Sequence, residues 1–314
     1  MATPRLTRRD AASVIGGAGT MLLTAGLAAA QTPPEPPVID DDQATVEPTQ
    51  VASGKDAFAR ITVPVTIDGQ GPFAFMVDTG ANRSCISTEL AKVLALPDGG
   101  KVVVNTIMGR RPRNSVLVDR LQVGSRAQRR VKIPVLPFVG TDIDGLLAVD
   151  WLKGQRLILD MKRKQVSITA SRRDTTTADR VVVAARKRIG QLTIVDADLG
   201  QKPISAMIDS GAQLSIGNPT LRAMLDKRLE GKLEKVTMVS VTGETFVGDM
   251  LYLPFLRLGG VQLGNVPVVF ADLPVFGLWG LANKPALVLG MDLLAAFTVV
   301  SLDFGRSTVT FEIG

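Results

Sequence analysis

The 314-residue sequence predicts an all-β protein built from two homologous halves, and three observations support that expectation. A hairpin pattern ending in Asp-(Thr/Ser)-Gly-Ala occurs twice, 131 residues apart (209 − 78). Each copy is followed, at a similar distance, by an apolar-(Gly/Ala)-x-Asp-x-Leu segment and two more apolar runs. The runs are rich in Val and Ile and are punctuated by glycine turns, which is the signature of strands and hairpins. A period this long is too great for a solenoid repeat and reads as a duplicated domain.

In chain order, residues 1–30 read as an export signal. Thr7-Arg8-Arg9-Asp10 precedes an Ala/Gly-rich apolar run that ends Ala28-Ala29-Ala30, a small-residue cleavage pattern. Paired arginines before a weakly apolar stretch are similar to a twin-arginine signal. A membrane tether is expected only if that signal stays uncleaved. Residues 31–56 read as a Pro-rich, acidic linker (Pro33, Pro34, Pro36, Pro37, Pro48; Asp40-Asp41-Asp42) with little to bury.

The first lobe is expected over residues 57–172. Ala59 to Val65 forms a strand, Asp68-Gly69-Gln70-Gly71 turns, and Phe73 to Val77 leads into Asp78-Thr79-Gly80-Ala81. Gly145 to Leu152, Leu157 to Asp160 and Gln165 to Ile168 close that half. Ser171 to Arg180 is the link. The second lobe, residues 180–314, repeats the plan. Gln191 to Val195 and Ile204 to Ile208 lead into Asp209-Ser210-Gly211-Ala212, and Ala286 to Leu294, Val299 to Asp303 and Ser307 to Phe311 close it.

Composition narrows the chemistry. There is no histidine and only one cysteine, so a Ser-His-Asp or Cys-His hydrolase lacks its base. Zinc sites of His and clustered Cys are excluded, as is an intrachain disulfide. Acid–base work falls to carboxylates, Lys or the single tyrosine, Tyr252. The charge of +6 lies partly in the first thirty residues, and aromatic residues make up 4% of the chain, so nucleic acid is not expected as a partner.

The two loops and their downstream segments resemble those of the aspartic peptidases of the retropepsin and pepsin group, over about residues 57–314. The resemblance implies two lobes in one chain, related by a pseudo-twofold axis, each giving one Asp-(Thr/Ser)-Gly loop. It implies Asp78 and Asp209 as the catalytic pair, with Thr79, Gly80, Ala81, Ser210, Gly211 and Ala212 supporting them. The hydroxyls of Thr79 and Ser210 would bond across the axis. Two carboxyls about 3 Å apart share one proton and activate water without cofactor or metal. Alanine at 81 and 212 is the retropepsin form and offers no hydroxyl to the ionised pair, so activity is expected from mildly acidic to near-neutral pH. The first half also lacks a flap tyrosine, a departure from pepsins.

The expected substrate is an extended polypeptide, from a periplasmic protein or a membrane-protein ectodomain. It would lie under flap hairpins around Met108-Gly109-Arg110 and Thr242-Gly243-Glu244. Arg110, Arg111 and Arg113 would either favour acidic substrate residues or form a solvated tip. Cys85 reads as a buried thiol. Asp150 and Asp292 read as backbone-fixing residues, Asp160 and Asp303 as turn residues, and Trp151 and Trp279 as packing. Ala148 stands where the second half has Gly290. Its methyl keeps open a catalytically silent, peptide-binding protein of the same shape.

Overall fold

The computed structural model describes residues 48–55, 60–225 and 233–314. The export-signal reading of residues 1–30, and the linker as far as residue 47, lie outside the described residues. Strands dominate, and the α-helices are single turns of four to six residues.

Each half is built on one sheet plan. In the first, Ile61–Ile67 pairs antiparallel with Gln70–Val77, and that strand runs parallel to Gly145–Leu147. Cys85–Ser87 fits between Gly145–Leu147 and Arg126–Leu136. The long hairpins Asp98–Thr106, Gly109–Val123 and Arg126–Leu136 complete an eight-stranded sheet. Pairing of Thr66 and Ile67 with Gln122 and Leu121 curls it back on itself. The second half repeats this with Gln191–Leu199, Lys202–Ile208, Ile216–Gly217, Glu234–Val239, Thr245–Leu258, Val261–Phe270 and Ala286–Leu289. Ala197–Leu258 pairing provides the equivalent curl. Register follows the repeat: Thr62 faces Met76 as Thr193 faces Met207, each pair 131 residues on. The inward residues of these strands (Val63, Val65, Phe75, Val77; Ile194, Ala206, Ile208) are buried in one continuous apolar core.

The halves are joined by a shared layer. Gln155–Asp160 pairs antiparallel with Val299–Asp303, putting Leu157 opposite Leu302 and Leu159 opposite Val300. Gln165–Ala170 and Thr308–Glu312 flank that centre, and Arg180–Arg188 covers one edge. Thr49–Ala52 covers the other, pairing with Gln165–Ile168, and Gly54–Lys55 pairs with Ile61 and Thr62. This corrects the linker boundary: Thr49–Ala52 and Gly54–Lys55 are strands and pair with strands of the first half. Their short, half-polar sequence has no strand pattern of its own. The open edge at Gln165–Ala170 supplies the backbone partners that make it one.

Asp160 and Asp303 close matching turns, accepting from the backbone N–H of Arg163 (2.7 Å) and Arg306 (2.8 Å) respectively. Trp151 is core, with the Arg126 guanidinium 5.4 Å from its ring centroid. Buried Trp279 meets Phe276 edge-to-face, with centroids 6.0 Å apart. The halves differ most before the closing strand. Ten positions separate Val135 from Gly145, whereas seventeen separate Phe270 from Leu287. The extra length carries the one-turn helix Pro274–Leu278 and its own apolar cluster.

Candidate active site

Parallel pairing fixes where each Asp-(Thr/Ser)-Gly loop emerges. The backbone N–H of Asp78 donates to the Leu147 carbonyl and that of Asp209 to the Leu289 carbonyl, both at 3.0 Å. Beyond that point each loop folds around its own carboxylate. Gly80 (2.9 Å) and Ala81 (2.8 Å) donate to Asp78 Oδ1, and Gly211 (2.9 Å) and Ala212 (3.1 Å) donate to Asp209 Oδ1.

The loops are then tied to each other. Thr79 Oγ1 donates to the Ile208 carbonyl (2.9 Å) and accepts from the Ser210 N–H (3.0 Å). Ser210 Oγ donates to the Val77 carbonyl (2.7 Å) and accepts from the Thr79 N–H (3.2 Å). Both side chains are buried, so these four bonds form away from water. The two carboxyl groups lie within hydrogen-bonding reach of one another.

Gly80 and Gly211 owe their identity to this approach. A Cβ on Gly80 would sit 2.6 Å from Asp209 Oδ1, and one on Gly211 would sit 2.5 Å from Asp78 Cγ. Each glycine makes room for the carboxylate of the opposite half.

A second set of bonds holds each loop from behind. Ser84 Oγ donates to Asp150 (2.7 Å) and its N–H donates to the other carboxylate oxygen (2.9 Å), while Ser84 Oγ accepts from the Ala148 N–H (3.0 Å). Ser215 does the same with Asp292 (2.7 and 3.0 Å) and the Gly290 N–H (3.0 Å). Asp150 and Asp292 therefore hold backbone. The serines stand six residues past each aspartate, a coincidence that the sequence alone displays.

Ala148 is fully buried and keeps the bond that Gly290 makes. A Cβ on Gly290 would press 2.7 Å from both C and O of Leu214. The halves are therefore packed differently at this point. Gly290→Ala is expected to cost about 1–3 kcal/mol by overpacking, and Ala148→Gly about 1 kcal/mol or less. Thermal melts of the two variants check the asymmetry.

The charges are set by burial. Asp209 is pushed up to about 8, first by desolvation and then by the charge of Asp78, against the lowering effect of its two loop N–H bonds. Asp78 is also raised by burial, and its loop N–H bonds and Arg60 pull it back. Two adjacent carboxyls of this kind share a proton, and their titrations belong to the pair. Burial likewise raises the Cys85 thiol far above neutrality, leaving it unreactive.

A cavity of about 470 Å³ is lined by both aspartates and by residues from both halves. The two long hairpins reach across it. The tip of the first is bonded to the second half (Val275 N–H to the Ile107 carbonyl, 3.3 Å), and the tip of the second to the first half (Val139 N–H to the Val241 carbonyl, 3.1 Å). Ile107 and Thr242 line the cavity. Of the flap residues expected from sequence, Met108 instead packs against the apolar cluster around Phe276. Gly109 and Gly243 are the left-handed tip positions (φ 103° and 86°), beside Pro274 and Val139 respectively. Arg110 and Arg111 are exposed, and neither they nor Arg113 lines the cavity.

Two β lobes that each present an Asp-(Thr/Ser)-Gly loop to a common cleft define the two-lobed, retropepsin-like aspartic peptidases. The model of the aspartyl protease family matches residues 63–151 and 195–293, one stretch in each half and together more than half of the sequence. The chain belongs to the aspartyl protease family. No curated protein sequence matches it.

Proposed function

We propose that the protein is an aspartic endopeptidase that hydrolyses peptide bonds in extended segments of envelope proteins. The observation that carries this reading is the reciprocal packing of Gly80 on Asp209 and Gly211 on Asp78, which seats two buried carboxyls face to face at the floor of one cleft. With one proton between them, the ionised carboxyl takes a proton from a water held by both. The protonated carboxyl donates to the scissile carbonyl. The water oxygen bonds to the carbonyl carbon. Return of a proton to the amide nitrogen then breaks the C–N bond, leaving a carboxyl and an amine. The substrate backbone would pair with the overhanging hairpins, its side chains alternating into the cavity. The export-signal reading of residues 1–30 places this activity in the periplasm, with periplasmic proteins or membrane-protein ectodomains as substrates.

The test is incubation of residues 31–314 with unfolded casein between pH 4 and 7, alongside Asp78→Asn and Asp209→Asn. Both variants are expected to lose at least about a thousandfold in rate. Undiminished cleavage by either variant overturns the pair as catalyst. If wild type binds casein without cutting it, the protein is a binder.

A further inference from the structure

The cleft is built by near-symmetric halves, yet its charge is not symmetric. Counting 131 residues on, Arg60 corresponds to Gln191 and Arg83 to Leu214, and all four line the cavity. The correspondence is structural as well: Thr62 and Thr193 occupy equivalent pairings, and Ser84 and Ser215 make the same bonds. Gln191 is 2% exposed and donates from Nε2 to the Gly80 carbonyl at 2.9 Å. Arg60 is 6% exposed and close enough to Asp78 for its charge to act on that carboxyl. Arg83 is half-buried, with Nη2 3.4 Å from the Lys132 carbonyl.

Among the described residues lining the cavity, Arg60 and Arg83 are the only charged side chains besides the two aspartates. Both arginines come from the first half, and the rotated positions in the second half carry neutral Gln191 and Leu214. Most of the remaining lining is apolar, so these charges act at low dielectric, where they matter most. A guanidinium offers five donors in a fork that matches a carboxylate.

We propose that the protein selects polypeptides carrying an acidic side chain at the subsites lined by Arg60 and by Arg83, while the rotated subsites at Gln191 and Leu214 take neutral ones. The proposal rests on the peptidase reading and extends it to a substrate class. It also gives the cleft a polarity: a peptide laid in reverse would put its acidic groups against Gln191 and Leu214.

The experiment uses one peptide frame with Glu, Gln or Lys placed in turn at each of four positions on either side of the cut. Cleavage is read as kcat/KM by mass spectrometry. Binding of the same peptides to the Asp209→Asn protein is read by fluorescence anisotropy. Arg60→Gln and Arg83→Leu each install the residue that the opposite half already accommodates. The Glu/Gln ratio is taken within each variant, so a general loss of activity cancels. For wild type, a preference of about tenfold or more for Glu over Gln is expected at one position per arginine. Arg60→Gln should remove one preference and Arg83→Leu the other. A wild type indifferent to Glu and Gln, or preferences that survive both substitutions, overturns the proposal. Cleavage without discrimination removes the specificity and leaves the peptidase. Glu-selective binding that the arginine variants abolish, without cleavage by wild type, does the reverse. Neither binding nor cleavage overturns both.

Discussion

Replacing Gly80 or Gly211 with alanine is expected to slow hydrolysis about a hundredfold or more and to loosen the join between the halves. Both effects come from a single methyl group. Neither glycine sits in the left-handed region, so the backbone itself would accept alanine. The obstacle lies across the axis, where the new Cβ would be 2.5–2.6 Å from carboxyl atoms of Asp209 or Asp78, with others closer still. Those carboxyls cannot swing away cheaply, since each already accepts two N–H bonds from its own loop. Either the carboxylate leaves its bonds or the two loops part. Parting them strains the four bonds that Thr79 and Ser210 make across the halves. Overpacking of this kind costs about 1–3 kcal/mol. A displacement of about 1 Å between reacting groups costs about a hundredfold in rate. A rate loss of about a hundredfold or more in each variant is expected, with a melting temperature lowered by several degrees. Gly277→Ala is the control: Gly277 is exposed, and a Cβ there would meet nothing within 4 Å. It should keep full activity. An active Gly80→Ala enzyme would show that the carboxyls need not be this close.

The glycines also show which parts of the site could be read from sequence. The pair Asp78 and Asp209 was legible because the loop signature is local and occurs twice, and the strands leading to it follow the same hydrophobic plan. Asp150 and Asp292 were legible as supports for the same reason, by their matching places. The sequence reading gave Gly80 and Gly211 a role within their own loops. The structure assigns each to the carboxylate of the other half, a contact 129 residues away for Gly80 and 133 for Gly211, which no local pattern encodes. Thr49–Ala52 escaped because its strand character comes from an edge it joins, not from its residues. The flap tips were placed by their turns. What the tips touch, Val275 and Val139, depends on the opposite half and on a helix-bearing insertion of unpredictable path. Arg60 is not legible, because a lone arginine before a strand carries no signal until its rotated counterpart, Gln191, is seen in the same cavity.

Asp209→Asn is expected to destroy activity and, at neutral pH, to make the protein more stable. The sign follows from linkage. Burial raises the folded-state titration of Asp209 to about 8, whereas an unfolded aspartate titrates near 4. Between those values the native state holds a proton that the unfolded state has released. Stability conferred by the proton is therefore fully present below about pH 4 and is lost progressively as pH rises towards 8. Asparagine keeps an oxygen to accept from Gly211 and Ala212, carries no charge to desolvate, and does not titrate. It escapes the whole penalty, and it also relieves Asp78 of the need to share. The gain at pH 7–8 should be a few kcal/mol, or several degrees in melting temperature for a chain of this size. It should shrink to nothing near pH 4, where wild-type Asp209 is protonated as well. Thermal melts of both proteins from pH 4 to 8 give the curve directly. A difference independent of pH, or one that grows towards acid, would mean that the fold does not hold a proton on the pair. The opposed effects on activity and stability would separate this site from an ordinary buried polar pair, because the proposed chemistry needs the ionisable pair whose burial costs stability.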